Sequence, residues 1–478
     1  MKVIYDNSNE KRNIDVSNLY YDIAEEMAKE DLKSGSKIIK VTMPDMTGVT
    51  YKLSLRSDTM FICELSNTIS DTYLDTVKPV FLTCVDPQKN AYKFYKLELL
   101  GGEVKASYGR MGVQKGELFG ERSFMYPKSM FWIKYFEKLS KGYVDRTDLY
   151  ITNEDTQREK ITEKTDPKDK RDKSSVSSML FSKLRSYAKQ AVKRANVQVP
   201  VTEAIIDASK KLLNKMRDSE KAEEFNKYLL DLISILQRPV KTGDGTGVKR
   251  LLADDKDDFA RIIERESDLI QAMEGTLTGK KPVNVGDFSD FDIEVFKATD
   301  KQKTEVLTHL SDQLKGKVKN VYRVIPKKQQ AAFNKYIKNN NIKKVKQFWH
   351  GSRNENWMSI IIHSLLLNPD AKINGKMFGQ GIYFAPSSMK SWNYTSFLGT
   401  YWANGRSDTA FMGLYAAAYG KPYDTNSWSG SISYNNQLIE KEGCNCLHAH
   451  AGNALMNDEV IFYNEAAVVL NYIVEFQE

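Results

Sequence analysis

The feature that most constrains this chain is a change of hydrophobic period across a single polar stretch. Residues 151–175, ITNEDTQREKITEKTDPKDKRDKSS, carry almost no apolar side chains. Such a segment cannot bury enough surface to offset its ordering entropy, so it reads as a linker. Upstream the period is two: VFLTCVD, YKFYKLELL and VKASYGRMG follow one another with glycine-rich breaks, a run of strands. An amphipathic helix over Pro127–Lys141 closes that unit, with Phe131, Ile133, Tyr135, Phe136 and Leu139 as its apolar side. Downstream the spacing becomes i, i+3, i+4 in Ser177–Ala195, Thr202–Met216, Lys221–Leu236 and Asp255–Met273, the signature of a helical bundle. Thr202-Glu203, just after Pro200, has the chemistry of a helix start. From about Phe291 short strands return, interrupted by helices at Asp300–Leu314 and Lys328–Asn339. Glu459–Phe476 is close to a continuous apolar strand, with a turn near Asn464. The expected fold is therefore multidomain α+β: a small β-rich domain, an α-helical bundle and a mixed α+β domain.

Length fits that division, since 478 residues correspond to roughly three domains of ~150 residues. No run of ~18 apolar residues occurs, which excludes a spanning helix. The start, MKVIYDNSNEKRNID, turns charged before a signal peptide can form, so the expected location is intracellular: nuclear in a eukaryote, cytoplasmic for a bacterial or viral protein. Four cysteines in so long a chain are no disulfide framework. The net charge of +8 is spread over 70 basic and 62 acidic residues and says little about partners by itself. Gln313–Asn354 holds twelve Lys or Arg and no acid, most simply a solvated basic face. Gly243–Gly247 lies between helices and follows no strand, so it reads as a connection and not a phosphate loop. Residues 1–74 mix a helical stretch, Leu19–Leu32, with alternating segments at Lys37–Met43 and Val49–Leu55; no motif gives this α+β unit a role.

Three clusters in the last third carry chemistry. Phe348-Trp349-His350-Gly351-Ser352-Arg353 places a His before a small pair that lets a ligand approach backbone. A lone His is more often a structural hydrogen-bond partner, and the Gly-Ser pair tilts this one toward function. Met377–Ala385, followed by Ser391 and Tyr394, brackets aromatics with glycines, which suits a loop offering ring faces to a flat ligand. Asn457-Asp458-Glu459 puts carboxylates at the entry to the apolar Val460-Ile461-Phe462; such a group needs a partner, and catalysis is one candidate.

Together these clusters resemble the poly(ADP-ribose) polymerase family, ADP-ribosyltransferases with a His-Tyr-Glu triad. WHGSRNENW, GKMFGQGIYFA with KSWNY, and NDEVIFY stand in the family's order over roughly 300–478. Lys105–Tyr143, with Tyr108-Gly109-Arg110 and FEKLSKGY, resembles the WGR domain that accompanies these enzymes. The segments around AEEFN and QRP, Ala222 to Pro239, resemble their helical regulatory domain. The implied layout is 1–74 of unknown role, 75–150 WGR-like, 151–175 linker, 176–275 helical regulatory, 276–300 linker, and 301–478 catalytic.

The resemblance implies an enzyme that breaks the nicotinamide–ribose bond of NAD, with NAD as substrate. The transition state is oxocarbenium-like and needs positioning plus negative charge near the ribose. Glu459, His350 and Tyr383 match the triad. Glu459 is expected to hold the ribose 2′-hydroxyl and help activate the acceptor, His350 to hold the adenosine-side ribose, and Tyr383 to lie on one side of the nicotinamide. Gly351 and Ser391 would grip the carboxamide, Tyr394 would stack on the ring, and Ser352 and Asn356 match further NAD contacts. Lys390 falls where the family places a residue near the acceptor. Protein acceptors, the chain itself included, and DNA ends or nicks are the implied partners, the latter through Tyr108, Arg110 and Lys105.

Two positions depart from the family pattern. Ser364 stands where a glycine often precedes the leucine run, and Tyr108 replaces the tryptophan of the WGR signature, the motif that in the family helps engage a broken DNA end. Cys444, Cys446, His448 and His450 alternate, and on a strand they share one face. Ligands confined to one extended strand wrap a tetrahedral ion poorly, so plain strand is the expectation and no metal is expected. Rival readings are a mono-transferase controlled by a protein or RNA partner, and an inactive NAD-binding scaffold. The simultaneous presence of His350, Tyr383 and Glu459 argues against the scaffold.

Overall fold

The computed structural model describes residues 2–6, 11–15, 38–42, 50–57, 60–65, 79–113, 116–128, 130–139, 141–150, 175–197, 199, 201–240, 247–277, 286–367, 377–398, 407–452 and 455–478. The helical reading of Leu19–Leu32, almost all of the polar stretch 151–175 and most of Gly243–Gly247 lie outside these residues. Two compact units divide the chain: residues 1–164, 197–200 and 230–252 make one, and 165–196, 201–229 and 253–478 the other. Among the described residues no helix is long and apolar enough to cross a membrane.

The first unit holds two antiparallel sheets. Strands β1 (Lys2–Asp6), β2 (Lys11–Asp15), β3 (Ile38–Thr42), β4 (Thr50–Ser57) and β5 (Met60–Leu65) pair in the order β2-β1-β3-β4-β5. The second sheet runs β10-β6-β7-β8-β9, from β6 (Val80–Asp86), β7 (Ala91–Leu100), β8 (Glu103–Arg110), β9 (Arg122–Pro127) and β10 (Val144–Asp145). Alternation in the sequence becomes alternation in burial: Tyr95, Leu97, Val104 and Ala106 are inside. The β7–β8 hairpin turns on Gly101, whose φ of +64° is a glycine conformation. Helix α1 (Met130–Leu139) buries Phe131, Tyr135 and Leu139 at a spacing of four, the face its period predicts. The same unit takes in residues 230–239. Tyr92 donates to the Arg238 carbonyl at 2.9 Å, and Arg146 pairs with Asp231 at 2.8 Å.

Between residues 176 and 276 the described residues form the helices α2 (Val176–Ala195), α3 (Glu203–Asp218), α4 (Ala222–Leu236) and α5 (Asp257–Thr276). Thr202 caps α3, its hydroxyl accepting from the Ile205 amide at 3.2 Å. Ser175 caps α2 in the same way. In the second unit Phe225 stacks on Phe259 at 3.9 Å between ring centres.

The rest of the second unit is mixed α+β. Helices α6 (Asp300–Thr308) and α7 (Lys327–Asn339) join β11 (Ile293–Lys297), β12 (Val318–Pro326), β13 (Lys346–Gly351), β15 (Thr409–Ala417) and β19 (Val468–Gln477), paired as β11-β12-β19-β15-β13. A four-stranded sheet follows the order β14-β18-β17-β16, from β14 (Ile382–Phe384), β16 (Pro422–Thr425), β17 (Cys446–Ala449) and β18 (Glu459–Phe462). All nine residues of β15 are buried, as a two-sided central strand requires. Strand β11 lies inside the stretch read as the linker 276–300, pairing Val295 with Val324. The single helix expected over Asp300–Leu314 is broken after Thr308. The His309 carbonyl accepts from the Trp349 indole at 2.6 Å, and the Ser311 amide donates to the Ser388 hydroxyl oxygen at 2.9 Å. These long-range bonds leave no local trace in the sequence.

Candidate active site

The two sheets of the second unit share a buried core, in which Phe348 and Tyr415 of one meet Phe384 and Phe462 of the other, and a backbone bridge joins them. Trp349 of β13 and Ala385, just past β14, exchange backbone hydrogen bonds at 3.1 and 3.2 Å. Beside this bridge the sequence clusters converge: His350 comes from the end of β13, Tyr383 from the middle of β14, and Glu459 opens β18, where Tyr383 pairs with Ile461.

Each member is held. His350 Nδ1 lies 3.4 Å from the Tyr383 carbonyl, and its ring meets Trp357, Phe384 and Tyr415 edge-on. The Tyr383 hydroxyl donates to the Gly379 carbonyl at 2.9 Å and accepts from the Phe378 amide at 3.1 Å. Burial first, then the nearby Glu459 charge, pushes that phenol well above its ordinary range, so it stays neutral. Glu459 Oε1 accepts from Lys390 Nζ at 2.6 Å, and Lys390 also reaches the Asn457 carbonyl at 3.3 Å.

Helix α9 (Ser388–Trp392), numbered after α8 (Trp357–His363), delivers Lys390 and Ser391. A Cβ on Gly351 would collide with the Ser391 carbonyl, so only glycine lets β13 and α9 approach this closely. The buried Ser391 hydroxyl donates to the Trp349 carbonyl at 3.0 Å, which leaves its oxygen lone pairs to accept from an amide. Tyr394, three residues beyond Ser391 and just past the helix end, is 53% exposed, a ring face available to a flat ligand.

A cavity of about 490 Å³ joins His350, Gly351, Tyr383, Ser391, Tyr394, Lys390 and Glu459. Its other wall is helical: Arg217 of α3 and Ile263, Glu264 and Ser267 of α5 line it too. Sequence reasoning missed these residues, because nothing in an amphipathic period says which neighbour its polar face will meet. Asn356 and Ser352 are drawn into the same contact. Asn356 is buried, and its amide donates to Asp268 of α5 at 2.8 Å and to the Ser352 hydroxyl at 3.1 Å. Six residues further along α5, Glu274 accepts from Ser359 at 2.6 Å and pairs with Lys210 of α3 at 2.6 Å.

The site residues proposed for the first unit divide. Tyr108 and Arg110 line a cavity of about 560 Å³ with Lys93, Arg122 and the rings of Phe94, Phe119 and Tyr143. Arg110 donates to the Asn90 carbonyl and side chain at 3.0 and 3.1 Å. Lys105 sits at an odd position on β8, so strand alternation sends it to the opposite face, and it does not line this cavity.

A carboxylate, a tyrosine and a histidine face a cleft walled by a serine, a glycine backbone and an exposed ring, a set of groups that suits a nucleotide-sugar ligand. Comparison with known proteins agrees. Residues 296–478 match the family described as the poly(ADP-ribose) polymerase catalytic domain. The poly(ADP-ribose) polymerase-like protein 100L of Invertebrate iridescent virus 6 is 30% identical over 180 residues, 36% of this chain and 94% of the viral protein. Human poly(ADP-ribose) polymerase 2 is 57% identical over 47 residues, 10% of this chain and 8% of its own. The Drosophila melanogaster poly(ADP-ribose) polymerase is 38% identical over 94 residues, 20% of this chain and 9% of its own. The chain thus spans nearly all of the viral relative and less than a tenth of the other two. It belongs to the poly(ADP-ribose) polymerase family and is an NAD ADP-ribosyltransferase.

Proposed function

We propose that the chain transfers ADP-ribose units from NAD onto protein acceptors and onto the growing product, and that DNA ends stimulate it. The observation that carries this reading is the Lys390–Glu459 pair at 2.6 Å on the wall of the cavity. In this scheme the bond between the nicotinamide nitrogen and ribose C1 breaks, and the ribose carries oxocarbenium character. Glu459 holds the 2′-hydroxyl and takes the proton of the attacking hydroxyl. Lys390 fixes the carboxylate's orientation beside the acceptor, an arrangement compatible with attack by a ribose hydroxyl and so with polymer. His350 holds the adenosine-side ribose, Gly351 and Ser391 grip the carboxamide, and Tyr394 stacks on the nicotinamide with Tyr383 on its other side. Ser352 and Asn356 contact NAD once Asp268 releases the Asn356 amide.

Residues 75–150 act as the WGR-like sensor, 176–275 as the helical regulatory domain and 301–478 as the catalytic domain, with 151–175 and 276–300 connecting them. Support for DNA contact comes from the cavity around Tyr108 and Arg110, where Lys93 and Arg122 supply charge and four rings supply stacking surface. Support for restraint comes from α5, whose Asp268 holds Asn356 and whose Glu264 and Ser267 line the NAD cleft. Incubation with labelled NAD, with and without nicked DNA, tests the whole reading. A ladder of products that grows with DNA is expected. A single modified band at saturating NAD means mono-transfer, and indifference to DNA points to a protein or RNA activator.

A further inference from the structure

We propose that Asp424, His448 and His450 form a binding site for a divalent cation of the zinc class. Strands β16 and β17 run parallel and place Asp424 opposite His448, while the His450 amide donates to the Thr425 carbonyl at 2.8 Å. One ligand atom from each of the three side chains lies within 4.8 Å of the others. Asp424 Oδ1 is 2.7 Å from His450 Nε2 and 3.9 Å from His448 Nδ1. The two imidazoles lie 4.1 Å apart, tilted by 32°.

The opposite ring nitrogens share a different carboxylate. Asp458 Oδ2 lies 3.1 Å from His448 Nε2 and 3.4 Å from His450 Nδ1, and the Ala451 amide holds Oδ1 at 2.8 Å. This is the arrangement that fixes metal-binding imidazoles: the outer N–H donates to a carboxylate, and the inner lone pair faces the ion. Two nitrogens and one carboxylate oxygen, with water as the fourth ligand, suit zinc, cobalt or nickel better than magnesium or calcium, which favour oxygen throughout. The Tyr419 hydroxyl, 2.8 Å from His448 Nδ1, turns aside when the ion enters.

Cysteine takes no part. Cys444 Sγ donates to the Pro422 carbonyl and Cys446 Sγ to the Tyr419 carbonyl, each at 3.4 Å. The expectation of no metal rested on four ligands confined to one strand. What changes it is the carboxylate of a neighbouring strand and a second carboxylate behind the rings. Because Asp458 precedes Glu459, the ion ties β16 and β17 to the entry of β18 and stiffens the frame that carries the catalytic carboxylate.

The test uses the full chain stripped with chelator and titrated with Co²⁺, read by its visible absorption, then with Zn²⁺ in competition. One Co²⁺ per chain, displaced by Zn²⁺, is expected. His450→Ala and Asp424→Asn should each weaken binding at least a hundredfold, Asp458→Asn about 10–100-fold, and Cys444→Ser not at all. Far-UV circular dichroism checks folding, and Asp424, 56% exposed, carries the test if a His variant does not fold. Absence of a saturable cobalt spectrum, or equal affinity in wild type and the Asp424 variant, overturns the proposal.

Discussion

Lys390 Nζ donates to Glu459 Oε1 at 2.6 Å, with side-chain exposures of only 16% and 17%. The pair joins a short helix to the first residue of a strand in the second sheet, so the carboxylate is held in one orientation. One oxygen is engaged by the ammonium, and the other is the one a ribose hydroxyl would meet.

Glu459→Gln therefore keeps size and loses charge. Removing a charged hydrogen bond made mainly in the transition state costs about 3 kcal/mol, roughly 100-fold in turnover. NAD affinity should change less than threefold. Radiolabel transfer and direct NAD titration check both numbers, and turnover within threefold of wild type would remove Glu459 from the mechanism.

Asp268 gives the helical contact a pH dependence. Burial, with help from the Glu355 and Glu264 charges and against the Asn356 bond, pushes its carboxyl up to about 7. An undocked carboxyl titrates near 4, so between about 4 and 7 the docked helix binds more proton than the undocked one. Docking is fully favoured below that window and weakens as pH climbs through it. Basal transfer without DNA should rise severalfold from pH 6 to pH 8 in the wild type, and Asp268→Asn should flatten that rise. Deleting residues 176–275 outright is a blunter probe of the same restraint, because Leu180, Phe181 and Leu184 share a buried cluster with Phe348 and Leu470.

Ser364 closes helix α8 with φ +69° and ψ −177°, a region that belongs almost entirely to glycine. Ser364→Gly should relieve more strain than it adds in unfolded-state entropy, a net gain of about 1 kcal/mol. A thermal midpoint ~2–4 °C higher is expected by circular dichroism. A lower midpoint would mean that the serine side chain contributes a contact worth more than the strain.

Arg110→Ala should leave basal transfer unchanged while weakening stimulation by nicked DNA and lowering the salt slope of DNA binding by about one. Gel shifts across a salt series measure it. Since Arg110 also holds Asn90, Arg122→Ala on the neighbouring strand provides an independent reading of the same cavity.

Local periodicity made most of this fold legible. The helices of 176–276 fall within three residues of the periods that announced them, because their caps and apolar faces are chain-local. The convergence of the three motifs was legible for a different reason: His350, Tyr383 and Glu459 each sit beside glycine or apolar strand residues that leave few alternatives for their placement. What could not be read was tertiary. Asp268 on Asn356, Trp349 on the His309 carbonyl and Asp458 behind two imidazoles are meetings between segments far apart in sequence. Lys105 shows the converse, since a simple count of alternation along β8 already separates it from Tyr108 and Arg110.

The bridge between Trp349 and Ala385 makes the active centre a caliper. His350 rides on one jaw, Tyr383 and Glu459 on the other, and the rivet is a pair of backbone bonds backed by a buried core that both sheets share. Any push that opens the jaws misaligns all three residues together, so activity should vanish in one step under mechanical or chemical stress. Substitutions far from the cleft that alter how the sheets splay will therefore look catalytic in an assay while touching no substrate.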